Sequence, residues 1–267
     1  EKVARTSGVP RQAFFMKPNI LVIAGHDPSG GAGIHADIEA IRALGGFAST
    51  LITGLTVQNS QNVRGFRLTD VELLRQQATA LLEDYDFQAV KIGMTGSVAI
   101  IDFIADLLPQ LPGVPVVLDP VLAAEAGGSL TSESLADAML EKLAPHCDVM
   151  TPNLPEAQAL TGRQTVSDCG SELVKRTGSA ALVTGTHDDT DQVTNHLFST
   201  DGEQQWNWER LPHSYHGSGC TLASSIACLR GHGESLANAV ADGQAHVDRF
   251  LRNAFRPGQG QHVPDRR

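Results

Sequence analysis

The segment HGSGC at 216–220 combines two glycines and a cysteine just before a run of small and apolar residues. It predicts a loop that becomes a closely packed helix at Cys220, with Gly217 and Gly219 in conformations that other residues avoid. The first turn of a helix has unpaired N–H groups and a partial positive charge, so Gly217, Ser218, Gly219 and Cys220 could bind an anion. We interpret this segment as a site for a phosphoryl group in transfer. A glycine turn before an ordinary buried helix would have the same pattern.

Cys220 is the candidate base of this segment. A thiol at a helix start is expected to ionise more readily than a free cysteine. The sequence therefore predicts a lowered pKa for Cys220 and a role for it in taking a proton from an alcohol.

Polar residues also follow several of the predicted strands, and in a parallel sheet those strand ends share one edge. They are Asp27, Gln58, Asp119, Asn153 with Glu156, and Thr184. Carboxylates at such an edge could hold Mg²⁺ together with phosphate groups. Simpler interpretations remain open, because Asp27 and Asp119 could form turns and the Asn153–Glu156 pair could cap a helix. Lys91 is expected in a buried ion pair.

Hydrophobic spacing predicts the elements that position these residues. Strands are predicted at 19–24, 49–58, 88–94 and 114–120, and a hairpin around Asp201-Gly202. Helices are predicted at 71–85, 97–108, 132–144, 168–177, 221–229 and 235–254, followed by a segment at 256–267 that is expected to be only partly ordered. Strand and helix alternate without a repeat or a linker. We therefore expect one doubly wound α/β domain over 19–267, preceded by an extension over 1–18 that is either native or added.

Composition narrows the possible partners and the compartment. The chain has 267 residues and a net charge of -10, which argues against general binding to nucleic acid or to an anionic membrane surface. No apolar run reaches the roughly 20 residues that cross a membrane, and the first residues lack the apolar core of a secretory signal. The four cysteines form no CxxC pair, which is typical of reduced thiols in a cytoplasmic protein. The histidines lack zinc-ligand spacing with any cysteine.

Six motifs occur in a specific order between residues 19 and 260: AGHDPSGGAGIHAD, TGLTVQN, KIGM, VVLDPVLA, TPNLPEA and HGSGCTLASSIA. Together they resemble the ribokinase-like superfamily, and within it the hydroxymethylpyrimidine/phosphomethylpyrimidine kinases of thiamine biosynthesis. The resemblance implies a three-layer α/β/α fold with a mostly parallel sheet, a homodimer, and ATP and Mg²⁺ as cofactors. It implies phosphorylation of 4-amino-5-hydroxymethyl-2-methylpyrimidine to the monophosphate and then to the pyrophosphate.

The resemblance also assigns roles to particular positions. Substrate contacts are implied for Gly25, Asp27, Val57, Gln58, Met94 and Val121. Nucleotide contacts are implied for Asp119, Asn153, Thr184 and Gly185, and metal contacts for Asp119 and Glu156. The anion hole corresponds to Gly217, Ser218, Gly219 and Cys220.

The chain departs from many relatives by lacking a lysine before the glycine near residue 184, a lysine near Gln244, and the AKSG sequence after the DPV motif. Each loss removes a cation that could contact a triphosphate. Two other functions are compatible with these features: a pyridoxal or pyridoxine kinase of the same fold, and a pyrimidine-binding sensor without catalysis. A nicotinamide-dependent enzyme is not expected, because GHDPSGGAG does not match the GxGxxG fingerprint.

Overall fold

The computed structural model describes residues 17–124, 128–129, 133–185 and 191–267. Of the expected extension over 1–18, only positions 17 and 18 are among the described residues. The central sheet has nine strands: β1 (Asn19–His26), β2 (Phe47–Gln58), β3 (Val63–Leu68), β4 (Ala89–Ile92), β5 (Val116–Leu118), β8 (Val149–Met150), β9 (Ala180–Thr184), β10 (Gln192–Ser199) and β11 (Gly202–Glu209). A small second sheet pairs β6 (Ala123–Ala124) with β7 (Gly128–Ser129).

Eight α-helices connect the strands: α1 (Gly33–Ala43), α2 (Val71–Asp84), α3 (Val98–Leu107), α4 (Glu133–Ala138), α5 (Leu154–Thr161), α6 (Val166–Thr177), α7 (Ser218–Gly231) and α8 (Leu236–Arg252), as counted within the described ranges. The helix predicted at 132–144 is observed as α4 followed by a wider π-helical turn over Met139–Leu143. The predicted hairpin is β10 and β11, which pair around Gly202.

The sheet is mostly parallel, with order β11-β10-β9-β8-β5-β4-β1-β2-β3. The six strands from β9 to β2 pair in parallel, and the antiparallel strands β3, β10 and β11 lie at the two edges. The chain runs outward from β1 to β2 and β3, and then returns to β4 on the other side of β1. This reversal opens a crevice at the carboxyl ends of β1 and β4, where open α/β sheets bind ligands.

Side chains that alternate along the strands build two cores, one on each face of the sheet. On β1, Leu21 and Ile23 join the core beneath α2 to α6, whereas Ile20 and Val22 join the core beneath α1, α7 and α8. Helices therefore cover both faces, which confirms the predicted three-layer α/β/α architecture.

The segment at 255–267 packs against the body, contrary to the expectation that it is only partly ordered. Phe255 bridges to Val263, and Tyr215 bridges to His262. The N–H of His216 donates to the carbonyl of His262 over 2.8 Å. These backbone bonds tie the segment to the loop before α7.

Within the part of the chain that the structure describes, no helix combines the length and the apolar character that crossing a membrane requires. All four cysteines are free thiols.

Candidate active site

A cavity of about 560 Å³ lies at the carboxyl edge of the parallel strands. This volume is typical of a small-molecule site. Most of the residues that the sequence predicted line this one cavity: Gly25, Asp27, Gln58, Met94, Asp119, Val121, Asn153, Glu156, Thr184, Gly217, Ser218, Gly219 and Cys220. Residues at the carboxyl ends of the parallel strands and at the start of α7 therefore meet in one cavity, although they lie up to about two hundred positions apart in the chain.

Val57 and Gly185 do not line the cavity. Val57 is 60% exposed, because it points to the opposite side of β2 from Thr56 and Gln58, which do line the cavity. The prediction that Val57 adds to the cavity wall is therefore wrong. Gly185 is buried, and its N–H donates to Asn195 Oδ1 over 3.1 Å.

The loop before α7 turns at Gly217, whose φ of 77° is in the left-handed region. A Cβ atom at this position would also overlap the carbonyl oxygen of Gly31. Both facts explain the glycine, since only glycine accepts this angle without cost. Helix α7 begins at Ser218, two residues earlier than predicted. Gly219 has an ordinary φ, so the predicted need for an unusual conformation there is wrong.

Asp27 is almost completely buried and organises the glycine-rich loop after β1. Its carboxylate accepts hydrogen bonds from the N–H and hydroxyl of Ser29, from the N–H of Ala32 over 2.9 Å, and from His216 Nε2 over 2.8 Å. Burial opposes the charge, but the hydrogen bonds from His216 and Ser29 outweigh it and hold the pKa of Asp27 below its usual range. The loop after β1 is thus tied directly to the loop before α7.

Beneath the start of α7 lies a fully buried ion pair between Lys91 and Asp37, with Nζ and Oδ1 2.9 Å apart. This confirms the expectation for Lys91. Ser224 of α7 donates to the same Asp37 oxygen over 2.7 Å. Burial by itself would lower the pKa of Lys91, but Asp37, Cys220 and Asp119 together raise it. Lys91 therefore remains a cation at the base of the cavity, which it helps to line.

Asp119 is 4% exposed and lines the cavity, and its Oδ2 lies 3.9 Å from Lys91 Nζ. No hydrogen-bond partner for that oxygen is found among the described residues. Burial raises the pKa of Asp119, and the charge of Lys91 and a hydrogen bond from the Cys220 thiol offset this rise only in part. A buried carboxylate oxygen beside a cavity that accepts no hydrogen bond from the described residues is suited to a positively charged ligand.

The structure contradicts the lowered pKa that the sequence predicted for Cys220. Cys220 as a residue is only half-buried, but the loss of water around its thiol raises the pKa, and Asp119 and Asp37 add to this effect. The nearby Lys91 lowers it only in part. Desolvation and two carboxylates therefore outweigh the effect of the helix start.

Asn153 and Glu156 form a reciprocal capping box at the start of α5. Asn153 Oδ1 accepts from the N–H of Glu156 over 2.8 Å, and Glu156 Oε2 accepts from the N–H of Asn153 over 2.9 Å. The helix-cap interpretation is thus confirmed, and the same two side chains also face the cavity. No cluster of three or more metal-binding side chains is found in the described ranges.

The far end of the cavity is organised by Gln244, which is 3% exposed and lies on α8. Its Oε1 accepts from Asn195 Nδ2 over 2.9 Å and from Trp208 Nε1 over 3.0 Å. In the sequence, Gln244 is distinctive only because many relatives have a lysine near this position. The structure shows instead that it is a neutral link between α8 and strands β10 and β11.

Gly25 allows Met94 to close the inner wall of the cavity. A Cβ atom at position 25 would lie 2.8 Å from Met94 Sδ, which is too close for a real contact. Met94 is 8% exposed, and its carbonyl accepts from the Thr53 hydroxyl over 2.6 Å. Met94 is therefore part of both the core and the cavity wall.

The fold and the cavity together define a class of enzyme, the ribokinase-like small-molecule kinases. The doubly wound sheet presents a helix start, a buried carboxylate and a capping-box carboxylate to one cleft, which are the parts that phosphoryl transfer needs. Residues 27–265 match the family described as phosphomethylpyrimidine kinase. The chain belongs to this family.

Curated and solved relatives agree with this assignment. The hydroxymethylpyrimidine/phosphomethylpyrimidine kinase of Escherichia coli K12 is 34% identical over 243 residues, which cover 88% of this chain and 91% of that protein. The solved phosphomethylpyrimidine kinase of Clostridium difficile 630 has a TM-score of 0.77 and 30% identity, covering 88% of this chain and 100% of that one. A pyridoxal kinase from Staphylococcus aureus, solved in complex with ADP, has a TM-score of 0.87 over 94% of both chains. Its identity is 23%, so it shares the fold alone.

Proposed function

We infer that this chain is a hydroxymethylpyrimidine/phosphomethylpyrimidine kinase. It transfers the γ-phosphoryl group of ATP to the hydroxymethyl group of 4-amino-5-hydroxymethyl-2-methylpyrimidine, and then transfers a second group to the monophosphate. The observation that carries this proposal is that the start of α7, the Asp119 carboxylate and the Gly25–Met94 wall all line one cavity.

The pyrimidine ring occupies the end of the cavity near β1 and β2. Met94 and Val121 supply apolar contact, and Gln58 supplies an amide that can both donate and accept at the ring edge. The backbone at Gly25 leaves room for the ring. Asp27 acts mainly by holding the loop in place, because both of its oxygens already accept hydrogen bonds.

ATP occupies the other end of the cavity, past Thr184 and Asn153. Mg²⁺, when bound, supplies positive charge that neutralises the phosphates, and Asp119 and Glu156 are the residues that would hold it. Asp119 Oδ2 supports this fit, because it accepts no hydrogen bond from the described residues.

The N–H groups at 217–220 stabilise the charge of the phosphoryl group in transit. The substrate hydroxyl oxygen forms a bond to the γ-phosphorus while the bond from that phosphorus to ADP breaks. The first N–H groups of a helix have no acceptor within the helix, so they can donate to the phosphoryl oxygens without rearrangement. Most of the rate acceleration in such reactions comes from positioning and electrostatics.

Cys220 receives the hydroxyl proton only when it is a thiolate. The raised pKa makes that form scarce at neutral pH, although the thiolate is then a stronger base. The same thiol also shapes the anion hole through its hydrogen bond to Asp119.

The molecule acts as a homodimer in the cytoplasm. The support for a dimer is an exposed apolar surface on β2, formed by Leu55 at 54% and Val57 at 60% exposure. Gly65 of β3 pairs with Val57, and a Cβ atom there would meet nothing within 4 Å. Such a surface suits a second copy of the chain.

Mass spectrometry of the products from the pyrimidine alcohol and Mg-ATP tests the proposed function. We expect the monophosphate first and the pyrophosphate later, with two ATP consumed for each pyrophosphate. Pyridoxal serves as the comparison substrate and should react more slowly. A higher kcat/KM with pyridoxal would favour the other kinase, and no phosphorylated product with either alcohol would favour a sensor.

A further inference from the structure

Arg266 is 4% exposed although it lies in the segment that follows the last helix. Its guanidinium makes three contacts with three different elements. Nη2 donates to the carbonyl of Gly31 over 2.7 Å, Nε donates to the Thr221 hydroxyl over 2.8 Å, and Nη1 pairs with Glu39 over 2.9 Å. Burying a guanidinium is costly unless it is paired and hydrogen-bonded, and these three contacts supply that compensation.

Two of these partners belong to the junction between the Asp27 loop and the start of α7. The Gly31 carbonyl packs directly against Gly217, where any side chain would overlap it. The Thr221 hydroxyl that accepts from Arg266 donates in turn to the carbonyl of Gly217 over 2.7 Å. One guanidinium therefore holds both sides of the contact that shapes the anion hole.

We propose that Arg266 is a positioning residue for phosphoryl transfer. It acts by holding Gly31 and Thr221 so that the N–H groups at 217–220 keep their orientation toward the cavity. Arg266 does not line the cavity and touches neither the substrate nor ATP. Its planar fork fixes the directions of several donors at once, which lysine cannot do.

The ion pair with Glu39 is the less important contact. The Glu39 side chain is 57% exposed, so water and salt screen its charge. The hydrogen bonds to Gly31 and Thr221 are buried and join segments that are far apart in the chain. The proposal therefore assigns the positioning effect to these two bonds.

The test compares Arg266→Met with Arg267→Ala. Arg267 is a neighbouring arginine whose side chain is 88% exposed and which, among the described residues, pairs locally with Asp265. The inference rests on the proposed kinase activity, so kcat and KM are measured with the pyrimidine alcohol and Mg-ATP. We expect Arg266→Met to lower kcat about 10- to 100-fold and to change KM less than about threefold, because small misplacements act on the reacting geometry. Arg267→Ala should have the same kcat as the unmodified chain. Wild-type kcat in Arg266→Met would overturn the proposal.

Amide hydrogen exchange supplies a readout that does not depend on catalysis. In Arg266→Met, the backbone amides at 29–33 and 215–221 should exchange faster than in the unmodified chain. The amides of β4 and β5 should exchange at the same rate in both. Faster exchange throughout the chain would indicate a general loss of stability and would contradict a positioning role. If the unmodified chain has no kinase activity, the proposed function fails, and this exchange pattern still tests the role of Arg266.

Arg266→Lys keeps the positive charge and covers the case in which Arg266→Met does not fold. Lysine cannot reach the Gly31 carbonyl and the Thr221 hydroxyl with one fixed fork, so kcat should still fall at least about 10-fold. Wild-type kcat in Arg266→Lys would show that charge alone suffices, which would overturn the proposed geometry.

Discussion

At the scale of single residues, the cavity rests on two buried charge networks. Asp27 ties the loop after β1 to His216, and Lys91 joins Asp37 beneath Asp119. Neither network consists of surface pairs, whose contributions are usually small. The charges of the cavity-lining side chains therefore depend on buried partners, one of which, Asp37, does not line the cavity.

Replacing Cys220 by alanine tests its role in the transfer step. We expect kcat to fall about 100-fold or more while KM for the pyrimidine changes less than about threefold, because a proton acceptor acts in the transition state. Cys228→Ala is the matched control, since it removes a buried thiol from the same helix away from the cavity. If Cys220→Ala keeps its turnover in steady-state assays, Cys220 has no part in the mechanism.

Lys91→Met should strongly destabilise the protein, because Asp37 would remain fully buried without a countercharge. Breaking a buried pair in this way costs about 3–5 kcal/mol of unfolding free energy. Lys142→Met breaks a pair with Asp102 whose side chains are 41% and 48% exposed, and it should cost less than about 1 kcal/mol. Denaturant titration measures both values, and equal losses would argue against a charged Lys91–Asp37 pair.

The pKa of Asp27 predicts how its contribution to stability depends on pH. The folded pKa lies below the usual value of 3.8, so the carboxylate stabilises the folded state at pH values above 3.8. This contribution decreases as the pH falls from 3.8 toward the folded pKa. The difference in unfolding free energy between the unmodified chain and Asp27→Asn should therefore be constant near pH 6–7 and shrink below about pH 4. A difference that grows on acidification would contradict this assignment.

At the scale of the elements, the sequence predicts long and strongly patterned segments well. Strand β1 and helix α2 lie within a few residues of their predicted ranges, because an apolar run marks the strand and Asp70, which caps the helix by accepting from the N–H of Leu73, precedes α2 in the sequence. Strand β3 was missed, since NVRGFRL has no apolar pattern and is a strand only through pairing with β2.

The same distinction applies to the candidate site. Gln58 and Asp119 were found because each follows an apolar strand. The pairs His216–Asp27 and Lys91–Asp37 were not found as pairs, since their members lie 189 and 54 positions apart. The pKa of Cys220 was predicted with the wrong sign, because a local helix argument contains neither the burial nor the two carboxylates that surround the thiol.

Gly217→Ala tests how closely the loop before α7 must pack against the carbonyl of Gly31. It should destabilise the chain by the cost of a left-handed conformation, about 1–2 kcal/mol, and by the further cost of overlap with Gly31. Gly233→Ala is the matched control, because its φ of 92° is equally unfavourable but its Cβ atom would meet nothing within 4 Å. Thermal unfolding should therefore show a larger loss for Gly217→Ala. Equal losses would mean that the loop relaxes away from Gly31 without cost.

At the scale of the whole molecule, the reversal of strand order at β1 determines where the cavity lies. It brings the ends of β1, β4 and β5 to one edge, and helices α1 and α7 meet above them. The antiparallel strands at the two edges extend the sheet beyond this centre. The apolar surface of β2 lies next to the edge strand β3, and Trp208 and Asn195 lie on the opposite side of the sheet, on β11 and β10, at the far end of the cavity.

Val57→Glu tests the proposed homodimer. A charge on the exposed surface of β2 should separate the two copies, so sedimentation should report a mass near 28.4 kDa instead of twice that value. Leu73→Glu is the control, since it places the same charge on another exposed apolar residue, on α2, and should leave the mass unchanged. A dimer that survives Val57→Glu would exclude this surface as the interface.

The most direct test of the account is a crystal structure of the chain with the pyrimidine alcohol, Mg²⁺ and an ATP analogue that cannot transfer its terminal phosphate. We expect the terminal phosphate to lie within hydrogen-bond distance of the N–H groups at 217–220, with the alcohol oxygen on its other side. A terminal phosphate bound away from the start of α7 would contradict the account.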